Sequence, residues 1–295
     1  MKTFNLENYF ELPLIELSNE ITLICDSGGT KTDWCLLSEN IGYFFSTNSY
    51  HPNTLGNTND VLFLEWLSGL CKEKEITFHF FGAGCLNPFN HEKIRKHFSS
   101  CQFKSFYIES DLYAACLATL KEEAGYVGIL GTGSVLCYFD STKITEVIGG
   151  FGYILGDEGS GFHFGKLVVN HYLSGKGSVL FNNLIKEKFG DRSTILTQVY
   201  SSLGKEFLSS IRIVSDNESL QDEVKSIHMV NITSFIEKHL PNEASSKEIS
   251  FVGSYAFYNQ DILSDLLSVK GWKLNTVIQK PLLELSKFLI HRNKM

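Results

Sequence analysis

The chain has 295 residues and a formal net charge of −7, which disfavours nucleic acid as a partner because a phosphate backbone is bound by clustered Lys and Arg. Hydrophobic residues make up 43%, enough for the packed core of one large or two medium domains. No apolar stretch reaches the ~18 residues of a transmembrane span, and no secretory signal opens the chain. We therefore expect a cytoplasmic protein without a membrane partner.

The seven cysteines are odd in number, scattered along the chain and without a Cys-x-x-Cys pair. A disulfide framework or a zinc site would need a more regular spacing. The pattern predicts buried thiols in a reducing compartment.

Residues 1–20 precede the first clear strand and form an N-terminal extension. Two apolar runs, at 21–25 and 34–37, flank a polar turn with two glycines, and this pattern predicts a β-hairpin. The next predicted elements are strands at 41–46, 77–81 and 105–108 and helices at 61–71, 91–98 and 111–120.

A second strand–turn–strand unit is predicted at 126–139, with its turn at 131–134. Because both units carry a Gly/Thr/Ser turn and are followed by alternating strands and helices, the pattern predicts two related α/β halves. The later predicted elements are a helix to about 173, helical patterns over 175–250, a strand ending at 251–253 and helices at 255–266 and 280–291.

The first candidate site is Asp26-Ser27-Gly28-Gly29-Thr30-Lys31-Thr32. Glycines let a backbone approach phosphate closely, and successive N–H groups form an anion-binding concavity to which the Ser27, Thr30 and Thr32 hydroxyls can add donors. Asp26 would repel a polyphosphate unless a cation lay between them, so it is a candidate for Mg²⁺, partly through water. An ordinary glycine hairpin turn explains the segment equally well.

The second candidate is Gly131-Thr132-Gly133-Ser134, which also lies between two apolar runs. The same argument predicts a phosphate-binding turn. Two such hairpins in one chain are a stronger signal than one.

The third candidate is the glycine-rich stretch 149–161, which contains Asp157 and Glu158 just before a helix. Carboxylates can accept hydrogen bonds from sugar hydroxyls, and glycine backbone leaves room for a ring. Acids that favour a helix N-terminus through its dipole are the alternative.

Ser110-Asp111 stands where a strand passes into a helix, and Gly253-Ser254 follows a second strand end. Asp111 is a candidate general base for an acceptor hydroxyl, and an ordinary N-cap is the alternative. A purine could stack over the backbone at Gly253, although a plain strand–helix turn has the same pattern.

Taken in order, DSGGTKTDW, SDLYAAC, GTGSVL, GGFGYILGDEGSG and FVGSYAF resemble the ATPase signature of the actin, sugar-kinase and heat-shock-chaperone superfamily. Within it, the chain is most similar to the N-acetylglucosamine kinase and BadF/BcrA-type ATPase branch. The resemblance runs from about residue 21 to the C-terminus. The KPLL segment at 280–283 departs from it by lacking a glycine.

The resemblance implies that both turns bind ATP phosphates, that Asp111 is the catalytic base and that Gly253 and Ser254 contact adenosine. Its implied sugar-binding residues are Asn53, Gly150, Phe151, Gly152, Asp157 and Glu158.

It also implies an α/β fold of two ribonuclease-H-like domains, each a mixed sheet flanked by helices, around a central cleft. We expect an extension at 1–20, an N-terminal domain at 21–114 that packs with a final helix at 280–295, and a C-terminal domain at 115–279 with a helical insertion.

The implied activity is ATP- and Mg²⁺-dependent phosphorylation of an amino sugar, with N-acetylglucosamine as the first candidate and a homodimer as a further expectation. N-acetylmuramic acid, glucosamine and other hexoses remain open. An ATPase activator of a dehydratase or reductase and a non-catalytic sugar or nucleotide sensor are the alternatives.

Overall fold

The computed structural model describes residues 1–55, 60–244 and 246–292. The chain divides into two compact units, Met1–Glu122 together with the chain from Lys280 onward, and Glu123–Gln279. The expected boundary at 114/115 lies inside a helix, α3 (Asp111–Thr119), whose first turns pack on the N-terminal sheet. The division therefore falls after that helix.

The N-terminal unit is built on a six-stranded sheet with the strand order β1-β4-β3-β2-β5-β6. Strands β2, β3 and β4 are antiparallel, whereas β5 and β6 run parallel to β2. Strand β1 pairs in parallel with β4, so the predicted extension contributes an edge strand. The strands are β1 (Lys2–Asn5), β2 (Glu20–Ser27), β3 (Lys31–Ser38), β4 (Ile41–Asn48), β5 (Glu75–Gly82) and β6 (Ser105–Ser110).

Helices cover the two faces of this sheet. Helices α1 (Val61–Glu73) and α2 (Phe89–His97) share one apolar core with Leu23 and Cys25 of β2. Because side chains alternate along a strand, Asp26 lies on the opposite face. That face is covered by α3 and by the last helix, α12 (Leu282–Arg292), which packs on α3, β2 and β3. Residues 293–295 of the expected final helix lie outside the described residues.

The C-terminal unit repeats the same sheet plan, with the strand order β11-β10-β7-β8-β9. Three antiparallel strands are again followed by two parallel ones, which confirms the duplication predicted from sequence. Strands β9 and β11 escaped prediction because they lie at the sheet edges and bury few side chains. The strands are β7 (Gly125–Leu130), β8 (Ser134–Phe139), β9 (Ile144–Gly149), β10 (Glu248–Val252) and β11 (Lys273–Ile278).

In the described part of the chain, six α-helices lie between β9 and β10, and two more connect β10 with β11. Four of the six lie within 175–250, where helical patterns were predicted, and a fifth is the predicted helix to about 173, whereas 152–155 was not predicted as a helix. Phe235 and Phe251 pack in a core between this sheet and α9, and a second core lies among the inserted helices. The helices are α4 (Gly152–Leu155), α5 (Gly161–Leu173), α6 (Val179–Phe189), α7 (Arg192–Val199), α8 (Gly204–Ser210), α9 (Gln221–His239), α10 (Ser254–Tyr258) and α11 (Gln260–Val269).

The seven cysteines, all in the described part of the chain, form no disulfide, and six of them are buried. This agrees with the expectation of buried thiols. None of the described helices has the length and apolar character that crossing a membrane requires.

Candidate functional site

The N-terminal hairpin ends in a short turn between β2 and β3. The Gly28 amide donates a hydrogen bond to the Lys31 carbonyl at 3.0 Å, which closes the turn. Gly29 and Thr30 form its exposed tip. Among the described residues, nothing accepts a hydrogen bond from their amides. The tip therefore presents two adjacent amides to an anion.

The Ser27 and Thr32 side chains do not belong to that anion site. Both are fully buried, their hydroxyl oxygens lie 2.8 Å apart, and the Tyr50 amide donates to both at 3.1 and 3.2 Å. They fasten the base of the turn to the segment after β4. The phosphate contacts predicted for these two hydroxyls find no support in the structure, because the strand register turns them into the protein.

Asp111 begins α3 and is the candidate base. The Ser110 hydroxyl caps the helix by accepting a hydrogen bond from the Tyr113 amide at 3.1 Å, so capping does not require Asp111. Burial raises the pKa of Asp111 to about 6, although its hydrogen bond from the Leu112 amide at 2.9 Å opposes that rise. A carboxyl with this pKa is ionised at neutral pH and is a stronger base than an exposed one.

Asp26 lies on the same face of the sheet. Burial, followed by the charges of Asp111 and Asp33, raises the pKa of Asp26 to about 7. The group thus sits in an excess of negative charge that a bound cation would relieve.

Mg²⁺ fits this arrangement as a partly hydrated ion. Within the described ranges, no three His, Cys, Asp or Glu side chains are placed to hold a metal together. Asp26 would be a carboxylate ligand, and water and phosphate oxygens would complete the shell, as is common for Mg²⁺.

Sequence reasoning missed Asp33, the cross-strand partner of Asp26. Its Oδ1 accepts hydrogen bonds from Lys31 Nζ at 2.8 Å and from Ser46 Oγ at 2.5 Å, and Lys280 Nζ lies 3.7 Å from its Oδ2. Burial would raise the pKa of Asp33, but these bonds and cations hold it below its usual value. The Lys-x-Asp spacing on one strand, which puts both side chains on one face, was the available signal.

Asn53 lies exposed in the turn that follows β4. Its amide donates to His51 Nδ1 at 3.2 Å. His51 packs against Gly84, where a Cβ would stand 3.2 Å from His51 Nε2 and where φ is +80°. Asn53, which is predicted to contact the sugar, thus lies in the same unit as Asp111, on a turn held by the His51 contacts.

In the C-terminal hairpin, the Gly131 amide donates to the Gly133 carbonyl at 3.0 Å. The Ser134 amide donates to Asp157 Oδ1 at 3.2 Å, and the Ser134 hydroxyl is buried without a hydrogen-bond partner in the described part of the chain. A Cβ on Gly133 would lie 3.2 Å from Asp157 Oδ2, so glycine lets this carboxylate approach the turn closely. The structure thus leaves one buried hydroxyl at this turn without a partner in the described residues.

Two further segments meet at this hairpin. The first amides of α5 donate to it, Gly161 to the Gly131 carbonyl at 2.9 Å and Phe162 to the Thr132 carbonyl at 3.2 Å. Gly253 has a φ of +120°, and a Cβ there would stand 2.4 Å from the Leu130 carbonyl oxygen. The predicted adenosine motif therefore adjoins the second phosphate turn, with Ser254 exposed at the start of α10.

The two acids predicted to contact the sugar have other roles in the structure. Asp157 is buried beneath the second turn, in a left-handed conformation with a φ of +64°. Glu158 accepts a hydrogen bond from Lys238 Nζ at 2.5 Å and lies 3.1 Å from His239 Nε2. Burial opposes its ionisation, but these α9 partners lower the pKa of Glu158 to about 2. Both carboxylates therefore already have hydrogen-bond partners inside their own unit.

The neighbouring residues predicted to contact the sugar, Gly150, Phe151 and Gly152, are exposed. Gly150 and Gly152 have φ values of +72° and +78°, a conformation that glycine adopts at low cost. Phe151 between them is 62% exposed. An exposed aromatic ring held between two such glycines can pack on the apolar face of a sugar.

The fold and part of the sequence match proteins of known structure. The chain is 26% identical to a structure described as a putative N-acetylglucosamine kinase from Porphyromonas gingivalis, with a TM-score of 0.78 over 92% of this chain and 99% of that one. A protein of the same description from Chromobacterium violaceum is 16% identical, with a TM-score of 0.61 over 92% of this chain and 98% of the other. The second likeness supports the fold alone.

No protein-family model matches the sequence, and no curated protein matches it significantly. The identification therefore depends on the ordered motifs, the duplicated sheet and the structural likeness. Together they show a two-domain fold of the sugar-kinase and actin-like ATPase type, in a chain that resembles the N-acetylglucosamine kinase and BadF/BcrA-type branch of that superfamily.

Proposed function

We propose that the chain is an ATP-dependent kinase that transfers the γ-phosphoryl group to a hydroxyl of an amino sugar, with N-acetylglucosamine as the first candidate. The observation that carries the proposal is Asp111. The Ser110 hydroxyl caps the helix, so the Asp111 carboxylate is not needed as the cap. Burial raises the pKa of Asp111 to about 6, and its charge raises the pKa of the nearby Asp26. Such a carboxylate is suited to accept a proton from a sugar hydroxyl.

In the proposed reaction, the sugar oxygen attacks the γ-phosphorus while its proton passes to Asp111. The bond from that phosphorus to the β,γ-bridging oxygen breaks, and ADP leaves. Positioning and electrostatic stabilisation supply most of the acceleration in such transfers. When bound, Mg²⁺ would neutralise phosphate charge, with Asp26 as its carboxylate ligand.

We assign phosphate contacts to the groups that remain available in each turn. In the N-terminal unit these are the Gly29 and Thr30 amides and the Lys31 ammonium. In the C-terminal unit they are the exposed part of Thr132-Gly133 and the unpartnered Ser134 hydroxyl. Gly253 and Ser254 are assigned to adenosine, since Gly253 lies against the second turn.

We assign the sugar to the exposed members of the predicted sugar-binding residues, which are Asn53, Gly150, Phe151 and Gly152. The preference for N-acetylglucosamine comes from the name of the Porphyromonas gingivalis relative and from the motif resemblance. Phe151 offers an apolar surface, and Asn53 offers both a donor and an acceptor for hydroxyl or acetamido groups.

The test is ADP release with Mg-ATP and a panel of sugars: N-acetylglucosamine, N-acetylmuramic acid, glucosamine and glucose. We expect one amino sugar to raise the rate at least tenfold above the sugar-free control. If every sugar left the rate at that control while nucleotide still bound, the sensor function would replace the kinase. Iron and visible colour in anaerobically purified protein would instead favour the dehydratase-activator class.

A further inference from the structure

Two lysines from distant parts of the sequence meet at one carboxylate beside the first phosphate turn. Resting on the proposed function, we infer that Lys280 and Lys31 form a two-ammonium site for the terminal phosphates of a nucleoside triphosphate, and that Asp33 positions both. Lys280 belongs to the segment that departs from the family pattern and lies outside the predicted site motifs.

Asp33 is the fixed centre of the group, with a side chain that is only 16% exposed. Its Oδ1 is occupied by Lys31 Nζ at 2.8 Å and Ser46 Oγ at 2.5 Å. Lys280 Nζ stands 3.7 Å from Oδ2, which is an ionic contact but exceeds hydrogen-bond distance. The Lys31 and Lys280 side chains are 48% and 59% exposed, so both ammonium groups retain donors for another anion.

The group lies on the face of the sheet that carries the candidate chemistry. Asp26, Asp33 and Ser46 form one row across β2, β3 and β4, and Lys31 is two positions before Asp33 on β3. Residues in such a row, and residues two apart on a strand, point to the same side. Lys280 comes just before α12, which packs on this face.

The balance of charge indicates an anion site instead of an ordinary surface ion pair. At the opposite end of β2, Lys104 contacts two carboxylates, Glu20 at 3.0 Å and Glu75 of β5 at 2.7 Å. There, two negative charges surround one positive charge. At Asp33 two ammonium groups share one carboxylate next to the available Gly29 and Thr30 amides, and the charge of the neighbouring Asp26 would be neutralised by bound Mg²⁺.

The test compares binding of a non-hydrolysable ATP analogue, inorganic tripolyphosphate and AMP to Lys280→Ala, Lys31→Ala and the matched control Lys104→Ala. Each of the first two substitutions should weaken the analogue and tripolyphosphate about tenfold and leave AMP unchanged, since a charge-assisted hydrogen bond is lost from the terminal phosphates only. Lys104→Ala should stay within about twofold of wild type.

Asp33→Asn tests the positioning role. It removes a negative charge, so the analogue should bind at least as tightly as to wild type, yet kcat should fall about tenfold because the ammonium groups lose their fixed position. A merely structural role would weaken binding and thermal stability together.

Two outcomes separate this inference from the proposed function. If wild type bound neither the analogue nor tripolyphosphate, the proposed function would fail and this site with it. If wild type bound the analogue and Lys280→Ala and Lys31→Ala bound it equally well, only the two-ammonium site would be overturned. An unchanged kcat in Asp33→Asn would remove the positioning role.

Discussion

The two hairpins share a backbone plan but carry different chemistry. The first joins β2 with β3 and the second joins β7 with β8, in each sheet the first two of three consecutive antiparallel strands, and each ends in a short Gly/Thr turn. The first has Asp26 and Asp33 on its own strands, whereas β7 and β8 contain no acid. The duplicated fold therefore fixes the backbone of both turns, and the side chains on the strands distinguish the hairpin that we propose to bind Mg²⁺ from the other.

The second hairpin obtains its carboxylate from elsewhere in the chain. Asp157 reaches the Ser134 amide from 23 residues further on. It does so with a φ of +64°, a left-handed conformation that costs a non-glycine residue of order 1 kcal/mol. In this unit the Asp157 carboxylate holds the turn through the Ser134 amide. In the N-terminal unit, the pKa values of Asp26 and Asp111 are raised.

The sharpest test of this contrast is Asp111→Asn, which should lower kcat about 10²- to 10⁴-fold because the amide cannot accept the hydroxyl proton. Asp140→Asn in the C-terminal unit is the matched control. Asp140 caps an exposed turn through Thr142 and Lys143, so its loss should leave kcat nearly unchanged. Steady-state ADP release with the best sugar gives the comparison, and equal rates in the two variants would remove Asp111 from the base role.

The close approach of Gly253 to the second hairpin can be tested by a pair of glycine substitutions. Gly253→Ala should lower the free energy of unfolding by about 3 kcal/mol or more, because its Cβ would stand 2.4 Å from the Leu130 carbonyl at a φ of +120°. Gly271→Ala shares a positive φ, +72°, but its Cβ meets open space. It should cost about 1 kcal/mol in urea unfolding. Equal losses would show that backbone strain, not proximity, explains Gly253.

Carboxylates in the two units should respond to pH in opposite directions. The folded pKa of Glu158, about 2, lies below its ordinary value of 4.5, so its contribution to stability is complete above pH 4.5 and is lost as pH falls towards 2. The folded pKa of Asp111, about 6, lies above its ordinary value of 3.8, so the folded state binds more protons and loses stability as pH rises from 4 to 6.

At pH 7, Glu158→Gln should therefore destabilise the protein by about 1–3 kcal/mol, whereas Asp111→Asn should stabilise it. Between pH 7 and pH 4, the Tm difference between Asp111→Asn and wild type should shrink. Thermal unfolding at the two pH values measures both effects. A stabilising Glu158→Gln, or an Asp111→Asn difference that grows on acidification, would contradict the assigned environments.

The smallest expected effect comes from the buried hydroxyl of Ser134. Ser134→Ala removes a group without a partner in the described structure, so ligand-free stability should change by less than about 1 kcal/mol or rise. Affinity for the ATP analogue should fall about threefold to tenfold if this hydroxyl donates to a phosphate. Ser250→Ala, in the buried part of β10, provides a serine control with no expected effect on binding.

Most of the secondary structure followed from apolar periodicity. The runs at 21–25, 77–81 and 126–130 correspond to central strands, whose burial on both faces makes the signal strong. Strands β1, β9 and β11 went unpredicted because an edge strand with exposed side chains carries little periodic signal.

The sequence by itself determined the duplicated sheets, the two turns, the Ser110–Asp111 helix start and the positions of Asp26 and Gly253. These are local patterns, and each depends on neighbours a few residues apart. Tertiary structure decided which of the predicted groups remain open to a ligand. Strand register turned Ser27 and Thr32 inward to the Tyr50 amide, and α9 engaged Glu158. Folding also brought Lys280 to Asp33, a contact between residues so far apart in the chain that no local pattern encodes it.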